Sequence, residues 1–224
     1  MNQKILVIAP HPDDETLGCG GTLLKHSKQG DEIHWIIVTG MLAEKGYSQE
    51  NIMQRKREIS EVSSKYPFKT TTVLDFPAAG LEQIATSTLV SSLSKIIQTL
   101  QPEIVYVPFR NDAHSDHQIT FDAITASCKS FRAPFIKKIL AYETLSETDF
   151  NLKPGMVNFT PNVWVNISPF IEKKLQILRI FNSELQAFPF PRSEEAVIAQ
   201  AKVRGIQANC MAAEAFWLLK EIIE

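Results

Sequence analysis

The feature that most narrows the fold of this chain is a repeated alternation of short, continuously apolar runs with longer amphipathic stretches. Residues 4–9 (KILVIA) stop at Pro10, residues 33–39 (IHWIIVT) stop at Gly40, and residues 71–76 and 104–109 make two further runs. A brief apolar run without polar alternation is the pattern of a strand buried on both faces. Between these runs lie three helical stretches. Residues 15–29 carry Leu17, Leu23 and Leu24, and residues 51–64 are charged and amphipathic. In residues 86–100, Leu89, Leu93, Ile96, Ile97 and Leu100 keep a helical period. Four rounds of this alternation predict an α/β domain with a mainly parallel sheet flanked by helices.

The last third is less regular. Residues 137–143 read as a strand. Residues 157–167 alternate through Val157, Phe159, Val163, Val165 and Ile167, and read as an edge strand or hairpin arm. Residues 169–186 and 193–209 read as helices, joined by a rigid connector at 188–192 whose prolines bias their neighbours away from helix. With no internal repeat or flexible linker, residues 1–224 are expected to form one domain, with a core over 1–145 and a C-terminal α+β elaboration over 146–224.

Composition removes several function classes. The 23 Lys and Arg against 25 Asp and Glu leave a net charge of −2, without the basic footprint of a nucleic-acid binder. No run approaches the ~18 apolar residues of a membrane span. The N-terminus lacks the length and cleavage pattern of a signal peptide, so the expected compartment is the cytoplasm. Cys19, Cys128 and Cys210 are odd in number and widely spaced, which fits neither a disulfide framework nor a zinc ribbon. Phe188, Phe190 and Trp217 leave a homo-oligomeric contact open.

Position changes the meaning of the histidines. Three of the five, His11, His114 and His117, fall in two acid-rich windows directly after the first and fourth predicted strands. In open α/β sheets ligands bind beyond the carboxyl ends of the strands, so both windows belong to one edge. His11 and Asp14 are three apart, as are His114 and His117, a spacing that faces one way over a helical turn. Two imidazoles and a carboxylate suit a catalytic zinc site with an open position; the same set suits Fe(II). Asp13 and Asp116 remain as carboxylates beside such an ion, fit for general-base work or for orienting an imidazole. Either window alone reads more readily as a capped loop than as a site; both together at one sheet edge point to metal-assisted hydrolysis of a carbonyl substrate. His26 and His34 read as bystanders. Gly18, Gly20 and Gly21 lie inside the first predicted helix rather than in a phosphate-binding turn, and predict close packing of helix on sheet.

The segment Ala9 to Glu15 resembles the A-H-P-D-D-E hallmark of the LmbE-like, or PIG-L-type, zinc deacetylases, with Pro10 inserted after the alanine. His114 to His117 is similar to that family's H-x-D-H motif, with Ser115 where proline is common, and Arg55 with Glu58 to its R-x-x-E. The resemblance implies a Rossmann-like fold and hydrolysis of the N-acetyl group of an amino sugar. It implies zinc ligands at His11, Asp14 and His117, a general base at Asp13, and His114, oriented by Asp116, as the stabiliser of the oxyanion. Arg55 and Glu143 are the expected substrate contacts. The family's Gly- and Arg-rich loop after the second strand is replaced here by Gly40 to Gly46, so the substrate's leaving portion is expected to meet a different surface. Two rival expectations are a metal-dependent amidohydrolase acting on another acyl group, and a non-catalytic carbohydrate-binding protein.

Overall fold

A computed structural model describes residues 2–223. Seven strands, β1 (Lys4–Ala9), β2 (Glu32–Gly40), β3 (Thr70–Pro77), β4 (Ile104–Pro108), β5 (Lys138–Tyr142), β6 (Val163–Asn166) and β7 (Ala213–Glu221), form one sheet in the order β3-β2-β1-β4-β5-β7-β6. The strands β3, β2, β1, β4 and β5 are parallel. β7 runs antiparallel between β5 and β6. Six helices cover the sheet: α1 (Asp14–Gln29), α2 (Gln49–Lys65), α3 (Thr86–Leu100), α4 (Ser115–Ser127), α5 (Ile171–Leu178) and α6 (Glu194–Gln207). The predicted α/β architecture is the observed one. No helix among the described residues is long and apolar enough to cross a membrane.

The apolar runs are continuous because both faces of the sheet are covered. On β1, Ile5, Val7 and Ala9 pack with Leu23, Trp35, Val62 and Tyr66. Leu6 and Ile8 pack on the opposite face with Leu89, Leu93, Ile97 and Ile124. The period of two along the strand thus divides one run between two cores.

The topology positions the site. From β1 the chain crosses to β2 on one side, and β4 pairs with β1 on the other. That reversal opens a crevice at the carboxyl ends of β1 and β4, where the two motif windows begin.

Packing of α1 is close, as its glycines predict. A Cβ on Gly18 would lie 2.2 Å from a ring carbon of Tyr142, and one on Gly21 would lie 2.6 Å from Ile167. The helix is interrupted at Cys19, and the freed N–H groups of Gly21 and Thr22 are taken by the Glu214 carboxylate of β7 at 2.8 and 2.7 Å. Lys174 of α5 pairs with the same carboxylate at 2.8 Å.

The C-terminal third differs in detail from the sequence expectation. Of residues 157–167 only Val163–Asn166 joins the sheet. Val157 is exposed and its carbonyl accepts from Asn111 instead. The helix expected over 169–186 ends at Leu178, after which a single 3-10 turn at Asn182–Glu184 aims Glu184 at Arg55 and Arg192. α6 begins where expected, with the Ser193 hydroxyl accepting from the Ala196 N–H. β7 and α4 have no counterpart among the elements read from the sequence.

Candidate active site

The loop after β1 is pinned from the neighbouring strand: the N–H and hydroxyl of Thr39 both donate to the Pro10 carbonyl, at 3.0 and 2.8 Å. Asp13 follows with φ 128°, a conformation rare for a residue with a side chain. Its N–H is held by Glu15 at 3.1 Å, and its carboxylate makes no helix cap. The second loop ends at His114, whose Nδ1 accepts from the N–H of Asp116 at 3.1 Å and so starts α4. Glu147 fastens this loop, taking the His114 N–H at 3.0 Å.

These two loops bring His11, Asp14 and His117 together. The Asp14 Oδ2 lies 3.4 Å from His11 Nδ1 and 3.3 Å from His117 Nε2. One ligand atom from each falls within 4.8 Å of the others. His117 and Asp14 are essentially inaccessible, and the Nε2 of His117 makes no hydrogen bond. A buried ring nitrogen without a hydrogen-bond partner needs an explanation, and a divalent ion shared with the carboxylate and second imidazole supplies one. His11, His114 and Asp116 form an overlapping group. There, however, His11 Nε2 already meets Asp116 at 3.0 Å and His114 Nδ1 already accepts from the backbone. The His11, Asp14 and His117 set is therefore the one that fits a metal.

Each imidazole of that set has a carboxylate on its far nitrogen. His117 Nδ1 meets Asp112 at 2.7 Å, and His11 Nε2 meets Asp116 at 3.0 Å. Such partners fix ring orientation and raise ligand basicity. Electrostatics follow the same geometry. Burial opposes the charge on His11, but its bonds to Asp116 and Asp14 prevail and raise its pKa to about 9. Burial likewise opposes charge on His117, and Asp14 and Asp112 still push it well above the ordinary histidine value. Asp14, against its own burial, is held well below the usual carboxylate range by the two imidazoles.

The structure revises one expected partnership. The carboxylate of Asp116 faces His11 and accepts from the N–H groups of Ala79 and Leu81, at 2.8 and 3.2 Å. It is 3.9 Å from His114 Nδ1. His114 is oriented by the backbone of Asp116, not by its side chain. Burial and the nearby His11 charge push the His114 pKa down. A neutral ring whose Nδ1 accepts a hydrogen bond carries its proton on Nε2.

A cavity of about 630 Å³ opens over this cluster, lined by His11, Asp13 and His114, by Gly40 at the end of β2, and by Met41 and Tyr47 after it. Asp13 is 2% exposed, and its carboxylate accepts from Arg192 at 3.0 Å. Burial first, and the Asp14 charge second, raise its pKa to about 7, with Arg192 opposing. Of the two expected substrate contacts, Arg55 lines the cavity but is buried and engaged. It donates to the Pro12 carbonyl at 3.1 Å and pairs with Glu58 at 3.2 Å and with Glu184. Glu143 lies outside that lining. Its two oxygens are held by Arg204 of α6 at 2.7 and 2.6 Å, so its expected reach toward a sugar is replaced by an ion pair. His26 and His34 are spent on Asp31 with Tyr106 and on Glu32 with Thr70.

Asp112, Glu147, Glu184 and Arg192 were not singled out from the sequence. Asp112 stands in the second motif window, five residues before His117, and its acidity there was a usable signal. The other three come from the C-terminal third, where nothing local marks them.

Deacetylases are found among the proteins of similar sequence and fold. A deacetylase of Escherichia coli described as uncharacterized, YaiS, is 31% identical over 148 residues, spanning 63% of this chain and 74% of that one. The diacetylchitobiose deacetylase of Thermococcus kodakarensis is 25% identical over 194 residues, spanning 81% of this chain and 70% of that one. In fold, the N,N'-diacetylchitobiose deacetylase of Pyrococcus horikoshii superposes with a TM-score of 0.79 at 23% identity, covering 97% of this chain and 84% of that one. The profile of the PIG-L family, described as GlcNAc-PI de-N-acetylase, matches residues 6–128, which include every residue of both motif windows. The chain belongs to the PIG-L family.

Proposed function

We propose that this protein is a metal-dependent hydrolase that removes the acetyl group from an N-acetyl amino sugar, releasing acetate and a free amine. The observation that carries the proposal is the buried His11, Asp14 and His117 set, in which the His117 Nε2 lies 3.3 Å from Asp14 and makes no hydrogen bond. It lies beside a carboxylate and a neutral imidazole that face a common cavity. Zinc suits two nitrogens and one oxygen, and Fe(II) is the second candidate. A divalent ion bound there supplies Lewis acidity toward the amide carbonyl and a more acidic water.

The remaining chemistry belongs to the chain. Asp13 takes a proton from the attacking water. In the metal-free protein burial and the Asp14 charge raise the pKa of this carboxyl to about 7, so it is a better proton acceptor than an ordinary carboxylate. The same carboxyl then returns the proton to the departing amine. His114, with its proton on Nε2, donates toward the oxygen on which negative charge develops. Asp116 and Asp112 hold the rings of His11 and His117. The cavity's 630 Å³ lies within the range of about 300–1,000 Å³ usual for small-molecule sites. Met41 and Tyr47 line the same cavity as the reacting groups and are candidates to meet the part of the substrate past the acetylated ring.

The test is a panel of N-acetyl substrates assayed with zinc: N-acetylglucosamine, its glycosides, N,N'-diacetylchitobiose, a sugar nucleotide and a lipid-linked sugar. Amine release from at least one, with no phosphate release, is the expected result. An N-propionyl and an N-butyryl glucosamine complete the panel, and release of either acyl group in preference to acetate, or amine release from no member, overturns the proposed substrate class.

A further inference from the structure

We propose that Arg192 is a positioning residue for this reaction: its guanidinium ties the Asp13 carboxylate to Glu147, which in turn holds the backbone of His114. The inference rests on the reading of Asp13 as the base.

Four contacts define the clamp. Arg192 Nη1 donates to Asp13 Oδ2 at 3.0 Å and to Glu184 Oε2 at 3.3 Å. Nη2 donates to Glu147 Oε1 at 3.2 Å, and Nε donates to the Ser146 hydroxyl at 2.8 Å. The other oxygen of Glu147 accepts the N–H of His114 at 3.0 Å. One planar group therefore connects the proposed base, on the loop after β1, to the backbone of the proposed oxyanion donor, on the loop after β4. A guanidinium presents its N–H groups in a rigid fork, so each contact restrains the direction of the others.

Asp13 needs such a restraint. Its backbone stands at φ 128° and its carboxylate is nearly inaccessible, without a cap role. Among the described residues, Arg192 is the only side chain that hydrogen-bonds this carboxylate. A buried carboxylate without a partner is costly and turns toward whatever donor remains. The arginine itself is delivered by a fixed frame. The N–H of Ser193 bonds to the Phe190 carbonyl at 2.9 Å, and the Ser193 hydroxyl caps α6. Arg179, just past the end of α5, pairs with Glu194 at the start of α6. Arg192 also lines the cavity. In this way the C-terminal elaboration, which donates none of the proposed metal ligands, reaches the reacting groups.

Misplacement of a reacting group by about 1 Å costs on the order of 10²-fold in rate. Arg192→Gln is therefore expected to lower kcat by about 10–100-fold, with KM within threefold and one zinc still bound. The test compares wild type, Arg192→Gln, Asp13→Asn and the double variant, all zinc-loaded, on the best substrate of the panel. It is paired with crystal structures of zinc-loaded wild type and Arg192→Gln. If Arg192 acts through Asp13, adding Arg192→Gln to Asp13→Asn changes the residual rate by less than threefold, and the Asp13 carboxylate in Arg192→Gln has left its wild-type position. A full multiplicative loss in the double variant, an unchanged kcat, or an unmoved Asp13 overturns the inference and leaves the base assignment standing. Near-wild-type turnover by Asp13→Asn overturns the base assignment and the inference with it. Should Arg192→Gln not fold, Arg192→Lys keeps the charge and loses the fork. A smaller fall in kcat with the same non-additivity is then expected, and additivity overturns the inference.

Discussion

Asp112→Asn isolates the contribution of a carboxylate that touches neither the proposed ion nor the substrate. Asp112 Oδ2 meets His117 Nδ1 at 2.7 Å, with both side chains at most 1% exposed, and its other oxygen accepts from the Thr148 hydroxyl at 2.6 Å. Asparagine keeps the shape and an acceptor oxygen but removes the charge. Charge-assisted hydrogen bonds are roughly twice as strong as neutral ones, and loss of a carboxylate behind a ligating histidine typically costs 10–100-fold in metal affinity. At about 1.36 kcal/mol per tenfold step, that is about 1.4–2.7 kcal/mol. The burial of this pair places the expected loss toward the upper end. The assay is competition for zinc against a chromophoric chelator at fixed pH, with elemental analysis confirming one equivalent at saturation. A dissociation constant raised 10–100-fold with unchanged stoichiometry is expected. A change of less than twofold would refute the role assigned to Asp112, and with it the placement of His117 Nε2 on the ion.

Other perturbations read different parts of the site. His114→Ala is expected to lower kcat by about 10²–10³-fold with KM less affected, as for loss of an oxyanion donor, and steady-state kinetics with zinc present checks it. Zinc uptake at pH 7 is expected to release protons, because His11, raised to about 9 in the metal-free protein, must lose its proton to bind; calorimetry in buffers of different ionisation enthalpy measures the count. The sign for stability follows from the same shift. The contribution of His11 to the metal-free fold is complete below about 6.5, its unfolded value, and is lost as pH rises through about 9, which urea denaturation with chelator present across that range detects. Glu214→Ala strands Lys174 at 3% exposure and frees two N–H groups at the break in α1. It is expected to cost about 3–5 kcal/mol in equilibrium unfolding, and a loss under 1 kcal/mol would count against the capping role.

The residues differ in how openly the sequence announces them. β1, β2 and β4 are legible because a strand covered on both faces has no reason to alternate, and in β2 only His34 and Thr39 interrupt the apolar run. β7 is not, because its polar Glu214 is buried against Lys174, 40 positions away, and against the freed backbone of α1, 193 positions away at Gly21. α4 is hidden for another reason: its first turn is made of site residues, so the window reads as chemistry before it reads as helix. His11, Asp13, Asp14, His114 and His117 are legible because each loop lies in one short window and the sheet brings the windows together. What Asp116 does is not, since spacing puts it beside His114 while the fold turns its carboxylate to His11. Arg192 carries no mark at all; only the return of the connector over the cavity makes it a neighbour of Asp13.

The central claim is metal-dependent amide hydrolysis at the His11, Asp14 and His117 cluster. It is tested most directly by following acetate and free amine together, on the best N-acetyl sugar substrate, in protein stripped by chelator and then restored with zinc. The deacetylase reading predicts equimolar acetate and amine, no turnover in the stripped protein, recovery at one equivalent of zinc, and no recovery in His117→Ala. Turnover that survives complete metal removal, or a protein that binds one equivalent of zinc and releases acetate from no member of the panel, contradicts it.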